Sequence, residues 1–307
     1  MPPSGHQRKI AIGPSSFGQA DPGVFDLLRE AGCTYVINDT GRKLNPQETC
    51  ALLEGCVGII AGLEILDESI FQRFPELRVI SRVGIGMDQI DLEAAQRHGI
   101  TVLNTPDEPA RAVAELTVTA MLCLSRNFQS LTRELGNRQW RKQLSPGLWG
   151  KVVHLVGFGR IGREVATLLT PFGCQLLITD PALDERALPP SSIGCSLAEG
   201  LAKADLISLH ANTSTPLLGH REFNLMKTGA FLLNSARGHL VDHEACLLAL
   251  KQKKLGGLWF DVFEEEPYQG PLCEEEGALL TPHVGTYTSE CRQSMERRAV
   301  LHLLSCL

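Results

Sequence analysis

The stretch HLVGFGRIGREVATLL, residues 154–169, most constrains what this chain can fold into. An apolar run leads into Gly157-Phe158-Gly159-Arg160-Ile161-Gly162, a complete G-x-G-x-x-G. A helical pattern follows, with Ile161, Val165, Leu168, Leu169 and Phe172 on one face. Glycines at this spacing have separate tasks where a strand turns directly into a helix. Gly157 permits the tight turn, Gly159 allows a diphosphate to approach the backbone, and Gly162 lets helix and strand pack. Free N–H groups and the dipole at the helix start favour an anion. Asp180 stands eighteen residues beyond Gly162, at the end of LLITD. A carboxylate there suits the ribose hydroxyls of NAD and repels the 2′-phosphate of NADP. The motif reads as a dinucleotide turn, yet about half the chain precedes it.

That preceding half has its own strand–helix alternation. Strand-like runs are KIAI (9–12), TYVIN (34–38), VGIIA (57–61), LRVIS (77–81) and TVLN (101–104), with helical patterns between them. Asp67 and Asp91 are expected helix caps. A second series, VVHLVG, QLLITD, LISLH, FLLNS and GLWFDVF, follows a long segment, VAELTVTAMLCLSRNFQSLTRELGNRQW, read as two helices linking the domains. Continuous apolar strands separated by helices imply parallel sheets covered on both faces. After His283 only 24 residues remain, too few for a domain. Their apolar face, Cys291, Met295, Ala299 and Leu303, predicts a helix returning to the first domain.

Composition limits the function classes. The formal charge is −6, from 29 basic and 35 acidic residues, which does not favour nucleic acid as a partner. No apolar run approaches the roughly 20 residues that span a bilayer, so no membrane association is expected. The opening MPPSGHQRK has no secretory apolar core, and the ten dispersed cysteines form no C-x-x-C; a cytoplasmic location is the expectation. His239 and His243 lie four apart, but no Glu follows the first, and Asp242 reads as the cap of the next helix. No metal site is expected.

The second half also carries candidate chemistry. NSARGHLVD puts Arg237 just after a strand, where a guanidinium fork can grip a carboxylate or keto oxygen; alone, it reads more readily as a surface or ion-pair residue. FDVFEEEP supplies Asp261 and Glu264 to Glu266, and TPHVGTYT supplies His283, which in isolation reads as structural. Together, SRVGIGMDQIDLEAA, NTP…AVAEL, GFGRIG, TDP, LMKTGAFLLNSARGHLVD, DVFEEEP and TPHVG resemble, colinearly from about residue 55, the D-isomer-specific 2-hydroxyacid dehydrogenase family, most closely its phosphoglycerate dehydrogenase-like branch.

The resemblance implies an α/β fold of two doubly wound parallel-sheet domains. A Rossmann NAD-binding domain, residues 99–284, is expected to be inserted into a split, flavodoxin-like substrate domain made of residues 1–98 and the helix of 285–307. It further implies that Arg237 binds the substrate carboxylate and carbonyl, and that Glu266 pairs with the catalytic His283. For the cofactor, Asp261 orients the nicotinamide carboxamide, Ser235-Ala236 line the nicotinamide side, and Arg160-Ile161 contact the diphosphate. Gly84-Ile85-Gly86 matches the loop whose N–H groups hold the substrate carboxylate. Relatives generally dimerise through the nucleotide domain, so a homodimer is expected.

Departures from the family pattern concern the substrate. Pro109 replaces the asparagine of NTP-x-x-N, and Arg111 nearby could serve an anion or cap the interdomain helix. After the third strand, Ala61-Gly62-Leu63-Glu64 stands where an Arg-Ser pair is common; Gly62 can still offer its N–H to a carboxylate. With Leu307 as the last residue, the regulatory domain of some members is not expected. The expected function is hydride transfer between NAD(H) and C2 of a small anionic 2-hydroxy or 2-oxo acid. Imidazolium is a suitable proton donor near neutral pH, and Arg237 would stabilise charge on the carbonyl oxygen. The alternatives are a formate- or phosphite-type dehydrogenase, or a non-catalytic NAD-sensing corepressor or scaffold.

Overall fold

Strands that lie inside a parallel sheet are buried on both faces, and the apolar runs of the first half behave in this way. The computed structural model describes residues 8–307; the opening heptapeptide, on which the reading of a missing secretory core partly rests, lies outside them. The strands are β1 (Arg8–Ile12), β2 (Cys33–Ile37), β3 (Gly58–Ala61), β4 (Val79–Arg82) and β5 (Thr101–Asn104). All pair in parallel, in the order β2-β1-β3-β4-β5. Ile10, Ile12, Ile59, Ile60 and Ile80 are fully enclosed. Such an order reverses direction between β1 and β3, and open α/β sheets bind ligands beyond the strand ends at that crevice.

The short helices of this unit are fixed at their starts. Asp67 accepts the N–H groups of Ser69 and Ile70, and Asp91 that of Ala94, as expected. Asn45 and Glu48 form a reciprocal capping box that sequence reading passes over. At the other end of the chain, helix Ser289–Ser305 buries Cys291, Met295, Glu296, Ala299, Val300 and Leu303. Its Ala299 carbonyl accepts a 2.8 Å hydrogen bond from Ser81 of β4, so the helix packs on this first sheet.

The chain divides into two compact units: residues up to Pro109 together with Tyr287–Leu307, and Ala110–Thr286. This moves the expected boundary at residue 99. A boundary there places β5 in the nucleotide domain, but β5 pairs with β4 from Val79↔Thr101 to Arg82↔Asn104. Alternation of strands and helices shows that a strand exists; only hydrogen-bonding partners show which sheet it joins.

The second unit contains β6 (Val152–Val156), β7 (Gln175–Thr179), β8 (Ser192–Gly194), β9 (Leu206–Leu209), β10 (Ala230–Asn234), β11 (Leu255–Phe260) and β12 (Ala278–Leu280). They form one parallel sheet in the order β12-β11-β10-β9-β6-β7-β8, with its switch point between β9 and β6. Edge strand β8 is not foreseen from sequence, because three residues carry no periodicity. The long linking segment forms helices Pro109–Ser125 and Phe128–Gly136, separated at Asn127, whose φ of 49° is left-handed. Pro109 stands at the first helical position, where its missing N–H leaves nothing unpaired.

One buried polar group marks this core. His154 of β6 is fully enclosed, and its Nε2 lies 2.8 Å from Thr179 Oγ1, while Nδ1 is buried without a partner. A Cβ on Gly200 would collide with the ring, so glycine there makes the space. Burial pushes the His154 pKa down to about 4 from 6.5. The unfolded chain therefore binds more protons between these values, and stability falls as pH drops from about 6.5 towards 4. Thermal unfolding at pH 7 and pH 5 checks this: His154→Val is expected to lose less Tm on acidification than the parent.

Candidate active site

The glycine turn sits at the C-terminal end of β6, beside the switch point. Gly157 has φ +97°, and a Cβ there would come within 2.6 Å of Ala211 N and of the His210 carbonyl carbon. The segment after β9 thus lies directly on the turn, held by a 2.7 Å bond from His210 N–H to the Val156 carbonyl. Gly162 faces the Gly157 carbonyl in equally close contact. Gly159 differs: a Cβ there would meet nothing within 4 Å. Helix Arg160–Leu169 begins immediately after it, with no side chain capping its first N–H groups. Open backbone at an uncapped helix start is what a diphosphate requires. Arg160 and Ile161 are the first two residues of this helix.

Asp180, just beyond β7, faces the same turn. One carboxylate oxygen accepts Phe158 N–H at 2.7 Å and the other accepts Ala182 N–H at 2.8 Å. It therefore braces the turn. Together, the open Gly159 backbone, the uncapped helix and the acid after β7 fit NAD. His210 lies next to the turn with Nε2 2.9 Å from Ser208 Oγ, and burial lowers its pKa to about 4, leaving the ring neutral there.

Three adjacent strands deliver the remaining candidates at the same sheet edge. Beyond β10, buried Asn234 donates to the Arg237 carbonyl at 2.8 Å and accepts Ala236 N–H at 3.0 Å. These bonds shape the loop carrying Ser235, Ala236 and Arg237. The half-buried Arg237 donates from one guanidinium nitrogen to the Ala236 carbonyl. Ser235 Oγ lies 3.4 Å from Thr117 Oγ1. A Cβ on Gly238 would collide with the backbone of Phe263 and Glu264, so the arginine loop lies directly against the loop after β11.

That second loop holds Asp261 and Glu266. Glu266 accepts Phe263 N–H at 3.0 Å, and its two oxygens lie 2.9 and 3.1 Å from His283 Nδ1. His283 follows β12 with φ +52°, a left-handed conformation that costs a non-glycine residue energy and needs support. Asp261 supplies it. Only 2% exposed, its carboxylate accepts the Thr281 hydroxyl at 2.6 Å and the N–H groups of Val284 and Gly285 at 2.9 and 2.8 Å. Asp261 thus grips the chain on both sides of His283. Holding that turn is a task of Asp261 additional to the carboxamide contact expected of it from the sequence.

In the first unit, the Gly84–Gly86 turn follows β4. Gly84 N–H donates to Thr105 Oγ1 at 2.7 Å, and its carbonyl accepts Thr105 N–H at 3.1 Å. Asn104 Nδ2 holds the Ile85 carbonyl at 2.9 Å. The N–H of Gly84 is therefore engaged, leaving Ile85 and Gly86 as the donors to consider for a substrate. The Gly62 N–H is engaged too. It donates at 2.5 Å to the carboxylate of Glu64, which is only 2% exposed, so a substrate carboxylate would have to compete with Glu64 for it. Arg111 pairs with Glu115 at 2.8 Å and reaches Glu164 at 3.5 Å, satisfying its charge on the helix surface.

Comparison with known proteins fits this geometry. Residues 118–285 match the NAD binding domain of the D-isomer specific 2-hydroxyacid dehydrogenases. The chain belongs to that family. It is 34% identical over 295 residues to D-3-phosphoglycerate dehydrogenase of Sus scrofa, covering 93% of this chain and 54% of that protein. Glyoxylate reductase of Thermococcus litoralis is 32% identical over 256 residues, covering 78% of this chain and 77% of the relative. A crystal structure of a Thermus thermophilus protein superposes with TM-score 0.89 at 33% identity, covering 97% and 96% of the two chains. The chain spans about half the length of the phosphoglycerate dehydrogenases it matches.

Asn234, Gly238 and Thr281 escape sequence reading, since each acts by touching backbone or side chains that spacing does not bring together. The brace at Asp261 yields a direct test. Asp261→Asn is expected to lower stability by roughly 1–3 kcal/mol and to reduce kcat while NADH affinity changes little. A large loss of NADH affinity with unchanged thermal stability would instead make the carboxamide contact its main task.

Proposed function

We propose that this chain is an NAD-dependent D-2-hydroxyacid dehydrogenase that interconverts a small 2-oxo acid and its 2-hydroxy acid. The observation carrying this reading is the His283–Glu266 pair, set beside the Arg237 loop on neighbouring strand ends of the NAD-binding unit. The Gly157–Gly162 turn and Asp180 would hold NADH, which when bound would supply hydride for C2 of the 2-oxo acid. Every other task belongs to the protein. His283, oriented through Nδ1 by Glu266, delivers a proton from Nε2 to the carbonyl oxygen and takes it back in oxidation. Arg237 binds the carboxylate and carbonyl oxygen and offsets charge developing there. Ser235 and Ala236 line the nicotinamide side; Asp180 meets the ribose, and the backbone from Gly157 to Gly162 meets the diphosphate. In the first unit, the Ile85 and Gly86 N–H groups are assigned to carboxylate binding.

We also assign a second copy of this chain as partner. Helix Phe128–Gly136 has no buried residue, and Trp140, Leu144 and Trp149 beyond it are almost fully exposed. Apolar surface of this extent is unfavourable in water and suits a closed two-fold contact. The reading is of a cytoplasmic protein: all ten cysteines are free, and no helix among the described residues is long and apolar enough to cross a membrane.

NADH consumption against a panel of 2-oxo acids, with and without phosphate, tests the activity. His283→Ala should lose roughly a hundred- to ten-thousand-fold in kcat with NADH binding retained. Oxidation of formate or phosphite alone, or full activity without His283, would sink the mechanism. Light scattering tests the partner: the parent should measure as a dimer, and Trp140→Glu combined with Leu144→Glu as a monomer.

A further inference from the structure

The carboxylate that meets His283 is carried by four exposed residues, Glu264 to Pro267, none of which is anchored by burial. Their position depends on the residues that close the loop. Phe263 stands at one end, buried in the core that includes Phe260, Ala249 and Leu272. Tyr268 stands at the other, packed against the same core. Their rings stack with centroids 4.3 Å apart and planes 13° from parallel, so two faces in contact form the base of the loop. His243, the first residue of helix His243–Lys251, sets its ring nearly perpendicular to both, 6.5 Å from Phe263 and 6.0 Å from Tyr268. Burial lowers the His243 pKa, against the pull of Glu264 and Asp242, so the ring stands there as a neutral aromatic wedge. The Tyr268 hydroxyl accepts the Leu272 N–H at 3.3 Å, and a Cβ on Gly270 would collide with that oxygen, which fixes the far end of the side chain.

Phe263 links this stack to the chemistry. Its ring lies in the stack, while its N–H donates at 3.0 Å to the Glu266 oxygen that lies 3.1 Å from His283 Nδ1. We propose that Tyr268 is a positioning residue: by stacking on Phe263 it closes the Glu264–Pro267 loop and holds the Glu266 carboxylate against His283 Nδ1. The inference rests on the dehydrogenase reading above and deepens it. Tyr268 acts on the reaction through Phe263 and Glu266. Without its ring, Phe263 loses the face it packs on, and an exposed loop gains freedom that a single N–H bond must oppose. An imidazole whose carboxylate partner wanders presents its proton over a wider spread of directions, which costs turnover more than binding.

The test compares the parent, Tyr268→Phe and Tyr268→Ala, each with and without Glu266→Gln. Tyr268→Ala should lower kcat for 2-oxo acid reduction by roughly ten- to a hundredfold, with NADH affinity unchanged. Tyr268→Phe keeps the stacked ring and should restore most of that turnover. With Glu266→Gln already present, the alanine change should cost no further kcat, because the carboxylate it positions is gone. Additive losses in the pair mean a general structural role and overturn the proposal. Parental kcat in Tyr268→Ala, or an equal loss in Tyr268→Phe, overturns it as well. Tyr268→Leu, which keeps bulk without a flat face, replaces the alanine variant if that fails to fold. Nitrogen NMR of labelled histidine separates the proposal from the reading beneath it, since it needs no turnover. The His283 Nδ1 signal should show a hydrogen bond to a carboxylate in the parent and in Tyr268→Phe, and lose it in Tyr268→Ala. That result supports the clamp even where no 2-oxo acid is reduced, and an unchanged signal overturns it. Absence of turnover in the parent counts against the dehydrogenase reading alone.

Discussion

The arrangement beyond β10, β11 and β12 depends on one carboxylate. Asp261 accepts a hydroxyl hydrogen and two backbone N–H groups from the segment that carries His283. Without that acceptor set, two backbone donors would be stranded and the left-handed backbone at His283 would lose its support. Thr281 extends the brace inward, since its hydroxyl also accepts the indole N–H of Trp259, a fully buried residue of β11. The imidazole is tied through this chain to the most enclosed part of the sheet. Glu266 then sets the direction of the ring. The turn is therefore held by Asp261 and the ring by Glu266, the preorganisation that the proposed proton transfer would demand.

The two sheets solve the same problem in opposite ways. Both leave a crevice where strand order reverses, and both line it with glycine. In the NAD-binding unit, Gly159 remains open at an uncapped helix start, so the crevice is prepared for a ligand. In the first unit, Glu64 closes the corresponding place between β1 and β3. Backbone N–H groups at a switch point are a resource whose availability depends on whether a nearby side chain has claimed them.

Much of this is legible from residues alone where the determinant is local. The glycine turn, Asp180 after its strand, the caps at Asp67, Asp91 and Asp242, and the apolar face of the last helix are short-range patterns. Arg237, Glu266 and His283 are pointed out by family resemblance, and their adjacency depends on strand order, which no spacing reveals. Competition for hydrogen bonds cannot be read in this way. Gly62 looks like a free donor because nothing in Ala-Gly-Leu-Glu says that the glutamate turns inward. The internal brace at Asp261 goes unseen because its three partners lie twenty or more residues away. Similarly, β5 carries no mark of the sheet it joins.

His154 and Gly200 bind the history of this core to a fixed order of change. The imidazole occupies the volume that any side chain at 200 would need, and it reaches Thr179, the residue immediately before Asp180. A lineage could not enlarge position 200 first, because the ring would have nowhere to go. It would have to shrink position 154 beforehand, giving up the contact with Thr179 on the way. The pair thus acts as a ratchet on sequence drift beneath the end of β7.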